Sequence, residues 1–202
     1  MFTFKNFNIA DWFSFYRIFA APFLLVLIWL DCRLMFTWFL LISYVTDAID
    51  GFLARKLKIT SSRGSQLDSF GDQITLVIGL IGLLYFETAF ITTNLILIGI
   101  VLTPYLFQMI IAYLKYGKAT AFHTYFAKLS AVVQSVFILY SLFFSPNYTL
   151  FYIMIGVGLI ETIEEITLIF IYDHWVSDVK GIYWALNDKR RLKKNCKKEQ
   201  DA

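Results

Sequence analysis

Between residues 73 and 114 the chain carries a single charged side chain, Glu87, whereas residues 189–198 alone hold seven Lys or Arg. A water-soluble domain spreads its charges around its surface and makes about a quarter of its residues charged. Here 16% are charged and 58% hydrophobic. So sharp a partition needs a solvent other than water over most of the surface. Crossing about 30 Å of hydrocarbon takes roughly 20 helical residues. Six stretches reach about that length: Phe13–Leu30, Leu34–Ala54, Gln66–Phe86, Phe90–Leu114, Tyr125–Phe144 and Leu150–Tyr172. None alternates apolar with polar residues as a barrel strand would, so helices are expected.

Residues 5–17 mix Phe7, Ile9, Trp12, Phe13 and Tyr16 with polar positions, a pattern suited to a helix lying in the membrane interface. The expected fold is therefore all-α and integral to the membrane. It is a six-transmembrane-helix bundle preceded by a short N-terminal interfacial helix. One domain covers 1–202, with a basic tail at about 180–202. Basic residues set the orientation. With six spans both termini share a side with the loops at 55–65 and 115–124. Those regions and their helix ends hold 17 of the 18 Lys and Arg, leaving Arg33 alone on the other side. Both termini are expected in the cytoplasm, in a multi-pass protein of a bacterial inner membrane. The start does not read as a cleaved signal, since Arg17 interrupts its apolar run. Trp29, Trp38 and Trp175 read as interfacial anchors, and Cys32 and Cys196 as free thiols. The run KRRLKKNCKK at 189–198 suits anionic lipid headgroups.

Chemistry concentrates in residues 47–72, DAIDGFLARKLKITSSRGSQLDSFGD. Four aspartates lie in or beside two apolar spans, where a lone charge costs several kcal/mol and marks function by default. Asp47 and Asp50 are i, i+3 on one helix, Asp68 and Asp72 i, i+4 on the next, so each pair shares a face. Asp47 precedes Arg55 by eight residues and Asp72 follows Gly64 by eight, which gives the pairs equal depth. Four carboxylates so close repel one another. Two divalent ions remove that repulsion, and hard oxygen donors select Mg²⁺ or Mn²⁺. Gly51 and Ala54 leave room beside the ions, and Gly64 lets a phosphate or ribose approach the backbone. Arg55 offers a fork for a phosphate or a base carbonyl. The set suits a pyrophosphate.

These residues resemble the signature of the CDP-alcohol phosphatidyltransferases, D-x2-D-G-x2-A-R-x8-G-x3-D-x3-D. Asp47, Asp50, Gly51, Ala54, Arg55, Gly64, Asp68 and Asp72 fill every fixed position with every gap kept. Chance would produce such a match on the order of once in 10¹⁰ windows. The resemblance implies a homodimer of six-helix protomers that takes CDP-diacylglycerol, or a related CDP-linked lipid, and releases CMP. It implies metal ligation by Asp47, Asp50, Asp68 and Asp72. It also implies a cytidine diphosphate site lined by Gly51, Ala54, Arg55 and Gly64. Asp72 is the candidate base for the acceptor's hydroxyl proton, or orients that hydroxyl. The expected partners are CDP-diacylglycerol, a small polar alcohol, membrane lipids and a second copy of the chain, with no nucleic acid.

The acceptor alcohol leaves a fainter trace. Lys115, Lys118, His123 and Lys128 lie near the same cytoplasmic mouth, and cations there favour a phosphorylated acceptor. Positive-inside topology accounts for Lys115 and Lys118 equally well, but Lys128 stands four residues inside an apolar run. Lys118 and Lys128 are therefore the candidates for the acceptor's phosphate. The stretch GKATAFHTYFAKLSAVVQ loosely resembles phosphatidylglycerophosphate synthases, which makes glycerol 3-phosphate the leading acceptor, ahead of inositol phosphate or inositol and of serine. Glu161, Glu164 and Glu165 are expected to pair with Arg17 or Lys128 within the bundle. A transporter would show broken helices or paired repeats. A membrane prenyltransferase would show two separate aspartate-rich motifs, so both classes rank below the transferase.

Overall fold

The computed structural model describes residues 9–57, 62–118, 120, 122, 124–176 and 179–187, with side chains described at 19–46, 49, 71 and from 74 onward within those ranges. In chain order its helices are α1 (Ile9–Trp29), α2 (Arg33–Leu57), α3 (Ser62–Phe86), α4 (Thr88–Thr93), α5 (Leu95–Tyr116), α6 (Tyr125–Phe143) and α7 (Tyr148–Ile171). A further helical stretch follows at 182–187. Among the described residues there is no strand.

Many large apolar side chains face outward while several polar ones are buried. The buried residues of α5 are Gln108 and Ala112, while Ile96, Ile100, Leu106, Phe107, Ile110 and Leu114 are exposed. Thr37, Ser43, Thr75, Ser130, Ser141, Thr162 and Glu164 are buried on the other helices. In water this arrangement would forfeit about 1.5–3 kcal/mol for each large apolar side chain left outside. In hydrocarbon it costs nothing. Helices α5 and α6 are moreover long and apolar enough to cross a membrane. The chain is an all-helical membrane protein.

Two expectations are corrected. The interfacial helix expected at 5–17 is not a separate element: from Ile9, where description begins, α1 runs unbroken to Trp29. Nothing in FSFYR (13–17) breaks a helix, so this part simply extends the first one. The span expected at Phe90–Leu114 divides at Asn94, whose φ −108°, ψ 17° leaves helical geometry between α4 and α5. The cause is local. Thr92, Thr93 and Asn94 are weak helix formers whose side chains compete for backbone partners, as when the Thr92 hydroxyl donates to the Ala89 carbonyl at 3.0 Å.

The chain forms two compact units, Met1–Thr92 with Ser135–Asn147, and Thr93–Gln134 with Tyr148–Ala202. In the first, α1 packs on α2 and α3, and α2 packs on α3. Helix α1 ends in a Schellman turn. The Asp31 amide donates to the Ile28 carbonyl, and the Cys32 amide to that of Leu27, both at 3.0 Å. Asp31 holds the left-handed conformation (φ 56°) this closure needs, which aspartate tolerates better than most residues. Arg33 then ties three chain ends together. Its Nη2 pairs with Glu87 just beyond α3 at 2.5 Å, and its guanidinium donates to the Ser141 and Leu142 carbonyls in the last turn of α6 at 2.8 and 2.9 Å. The single basic residue remote from the others in the sequence is thus a cap and a clamp.

Contact between α2 and α3 is close because two glycines line it. A Cβ on Gly82 would overlap the ring of Phe36, which is fully buried. One on Gly79 would lie 2.8 Å from the Tyr44 hydroxyl and 3.5 Å from Leu40. In lipid, where no hydrophobic force draws helices together, small residues of this kind permit the approach that packing requires. Gly82→Ala should therefore lower stability in detergent by about 1–3 kcal/mol. The double variant with Phe36→Leu should recover part of that loss, as read from thermal unfolding of the two proteins.

Candidate active site

The signature occupies one helical hairpin. Asp47, Asp50, Gly51, Ala54 and Arg55 fall within α2, and Gly64, Asp68 and Asp72 within α3. Residues 58–61 and the side chains of all eight positions lie outside the described residues. The register of the hairpin is nevertheless fixed by its described half. Phe36 faces Gly82 and Leu40 faces Gly79, so α2 ascends as α3 descends. Asp47 comes seven residues after Leu40, and Asp72 seven before Gly79. Asp50 and Asp68 stand ten and eleven residues away on the same count, within one helical rise of about 1.5 Å. Continued along both helices, the register makes Asp47 level with Asp72 and Asp50 level with Asp68.

Below these positions three hydroxyls of the hairpin bond to backbone carbonyls of their own helices. Ser43 donates to the Phe39 carbonyl at 3.0 Å, Thr46 to that of Ser43 at 2.9 Å, and buried Thr75 to that of Gly71 at 2.9 Å. Ser43, Thr46 and Thr75 are thus each satisfied within their own helix. Such residues cost little in an apolar layer. Among the described residues no group of three or more His, Cys, Asp and Glu could hold a metal ion. The donor set that suits hard divalent ions is the four signature aspartates, two on each helix.

The expected acceptor cations belong to the other unit. Helix α5 ends at Gly117, which takes the left-handed conformation (φ 70°) and whose amide donates the closing bond to the Tyr113 carbonyl at 2.9 Å. Lys118 comes next, with its Nζ 3.7 Å from the centroid of the Trp175 ring. Trp175, expected as a membrane anchor, is therefore also a rest for this cation. Lys115 is held differently, donating to the Ile169 carbonyl at 2.7 Å and lying 3.9 Å from Asp173. Lys128 sits in the first turn of α6, exposed, and makes no ion pair among the described residues. His123 lies outside the described residues.

Two of the helix-seven acids have neutral partners among the described residues; of the cations expected beside them, Lys128 makes no ion pair there and the Arg17 side chain lies outside the described residues. Gln108 donates to Glu165 at 2.5 Å and the Thr120 hydroxyl does so at 2.9 Å. One turn earlier Glu161 faces Ser130 of α6 and Tyr105 of α5. The third, Glu164, is 7% exposed, and its Oε2 has no hydrogen-bond partner among the described residues. Sequence reading missed Gln108, Thr120 and Ser130. The available signal was a lone glutamine inside the α5 apolar run, opposite acids at similar depth.

The chain matches the sequence profile of the CDP-alcohol phosphatidyltransferase family over residues 7–163. It belongs to that family. Three curated relatives are named CDP-diacylglycerol--glycerol-3-phosphate 3-phosphatidyltransferase. That of Wigglesworthia glossinidia brevipalpis is 35% identical over 89 residues, covering 42% of this chain and 49% of the relative. Those of Sodalis glossinidius and Haemophilus influenzae are 32% and 33% identical over 81 and 79 residues, covering 37% and 38% of this chain and 42% and 43% of each relative. The matches thus span about half the length of these relatives or less. No solved structure matches the chain.

The Lys118–Trp175 contact can be read directly. In protein whose other tryptophans are replaced by phenylalanine, Lys118→Gln should change the emission of Trp175. Lys180→Gln, which removes an exposed cation from the same unit, should leave it unchanged.

Proposed function

We propose that this chain transfers a phosphatidyl group from CDP-diacylglycerol to glycerol 3-phosphate, releasing CMP, in phospholipid synthesis. The observation that carries the reading is the complete signature divided between α2 and α3, two helices in contact. The names of the relatives support the choice of substrates. On this reading the protein works as a homodimer of six-span protomers with both termini and the signature at the cytoplasmic face.

Asp47, Asp50, Asp68 and Asp72 would hold two divalent ions, Mg²⁺ or Mn²⁺. When bound, these supply positive charge to the diphosphate and to the departing CMP. Gly51, Ala54 and Gly64 keep side chains away from the nucleotide, and Arg55 grips its phosphate or its base. The acceptor's hydroxyl oxygen forms a bond to the lipid-side phosphorus, and the bridging P–O bond to the CMP phosphate breaks. Asp72 orients that hydroxyl and receives its proton. Lys128, free of ion pairs among the described residues, takes the phosphate of glycerol 3-phosphate, with Lys118 beside Trp175 as a second cation. A neutral alcohol would leave both lysines without a counterion.

Purified protein given CDP-diacylglycerol and Mg²⁺ should release CMP on addition of glycerol 3-phosphate, and far less with glycerol, inositol or serine. Asp50→Asn, which removes a carboxylate charge at constant size, should abolish release while leaving membrane insertion intact. Lys128→Ala should raise the KM for glycerol 3-phosphate at least about tenfold and leave that for CDP-diacylglycerol nearly unchanged, as loss of a charge-assisted contact predicts. Equal rates with glycerol and glycerol 3-phosphate would refute the phosphate pocket.

A further inference from the structure

The connection from α5 to α6 leaves its helix at a left-handed glycine and is then held by one carboxylate. Gly117 turns the chain off α5. Three residues later the Thr120 hydroxyl donates to Glu165 Oε2 at 2.9 Å. Gln108 of α5 donates to that same oxygen at 2.5 Å and to the Thr120 hydroxyl at 3.1 Å, closing a triangle. It is no surface bridge, since Gln108 is only 3% exposed. The far half of the connection is held otherwise. Phe122 is 1% exposed within a cluster of Ala112, Leu168, Ile169, Val179 and Ala185. Thr124, fully buried, caps α6 by accepting from the Ala127 amide at 3.1 Å. Between the glycine joint and Phe122 the described anchors are the Thr120–Glu165 bond and the Lys118–Trp175 stack.

A charge this deep in an apolar helix is costly. Apolar burial already holds the far half of the connection, so a hairpin needing only to fold would not require it. We infer that Glu165 is a positioning residue. Through Thr120, with Gln108 as its brace, it fixes the connection that carries Lys118 and leads to Lys128, and so sets the placement of both cations for the acceptor's anionic group. This rests on the acceptor reading given above. The alternative is a staple that holds α5 to α7 and nothing more. The two differ in what they predict. A staple lowers stability and all activity together, whereas a positioning residue acts on acceptor affinity alone.

Thr120→Val removes the hydroxyl at nearly constant shape, and Glu165→Leu removes the carboxylate. Each should raise the KM for glycerol 3-phosphate about tenfold and leave the KM for CDP-diacylglycerol within about twofold. The double variant should be no worse than the worse single one, because both break the same bond. Thr120→Ser and Glu165→Gln, which keep a hydroxyl and an acceptor oxygen, should return acceptor KM to within about threefold of the parent. In single-tryptophan protein, Trp175 emission should move towards that of Lys118→Gln in the first pair of variants and not in the second. Thr120→Val carries the test should Glu165→Leu fail to fold. Unchanged emission, or kcat and both KM values shifting alike, would overturn the inference. So would a shifted emission with unaltered acceptor KM. If Lys118→Gln and Lys128→Ala also leave acceptor KM unaltered, the fault lies in the acceptor reading; if they raise it, the fault lies with Glu165 alone.

Discussion

The constraint on which the proposed function depends is the placing of four carboxylates on two apolar helices in contact. Two helices of a tight hairpin carry two aspartates each, and the register of the described half brings the pairs to matching heights. Four like charges at that spacing would drive the helices apart or force protonation. Divalent cations would reverse the sign of the interaction, so that each carboxylate attracts what its neighbours also attract. On the function proposed here the same cations meet a diphosphate, and the repulsion that threatens the fold becomes the attraction that binds the substrate. Close approach of α2 and α3 is the precondition, and Gly79 and Gly82 provide it well away from the aspartates themselves.

The second unit applies the same economy to neutral partners. Gln108 and Ala112 are the buried residues of α5, while Ile100, Leu106, Ile110 and Leu114 of the same helix are exposed. Glu165 receives an amide and a hydroxyl, and Glu161 faces a hydroxyl of α6. Acids with neutral donors do not draw the lysines into ion pairs. Lys118 rests on an aromatic face and Lys128 stays exposed in the first turn of α6. Arg33 performs the corresponding service in the first unit, where it closes the ends of α3 and α6 at one point.

The sequence made the helices legible because membrane-spanning runs are long and nearly free of charge, and the helices α1, α2, α3, α6 and α7 begin and end within a few residues of expectation. It also made the signature legible, since fixed spacing along a helix is fixed geometry. The break at Asn94 escaped notice because hydropathy does not register the weak helix propensity of Thr92-Thr93-Asn94. The partners of Glu161 and Glu165 escaped for a different reason. Charge invites a search for opposite charge, whereas Gln108, Thr120 and Ser130 are polar residues of ordinary type whose meaning lies in which helix they face. Arg33 and Glu87 were visible as isolated charges, but their separation by 54 residues gave no sign that they meet.

The central claim is that four carboxylates on one hairpin hold two divalent cations. Titration of Mn²⁺ into the purified, metal-free protein with CDP-diacylglycerol present, followed by the electron paramagnetic resonance of the free ion, measures this directly. The account predicts two bound ions per chain in the parent and loss of at least one in Asp68→Asn. A parent protein that binds no Mn²⁺, or an Asp68→Asn variant that binds as much as the parent, would contradict it.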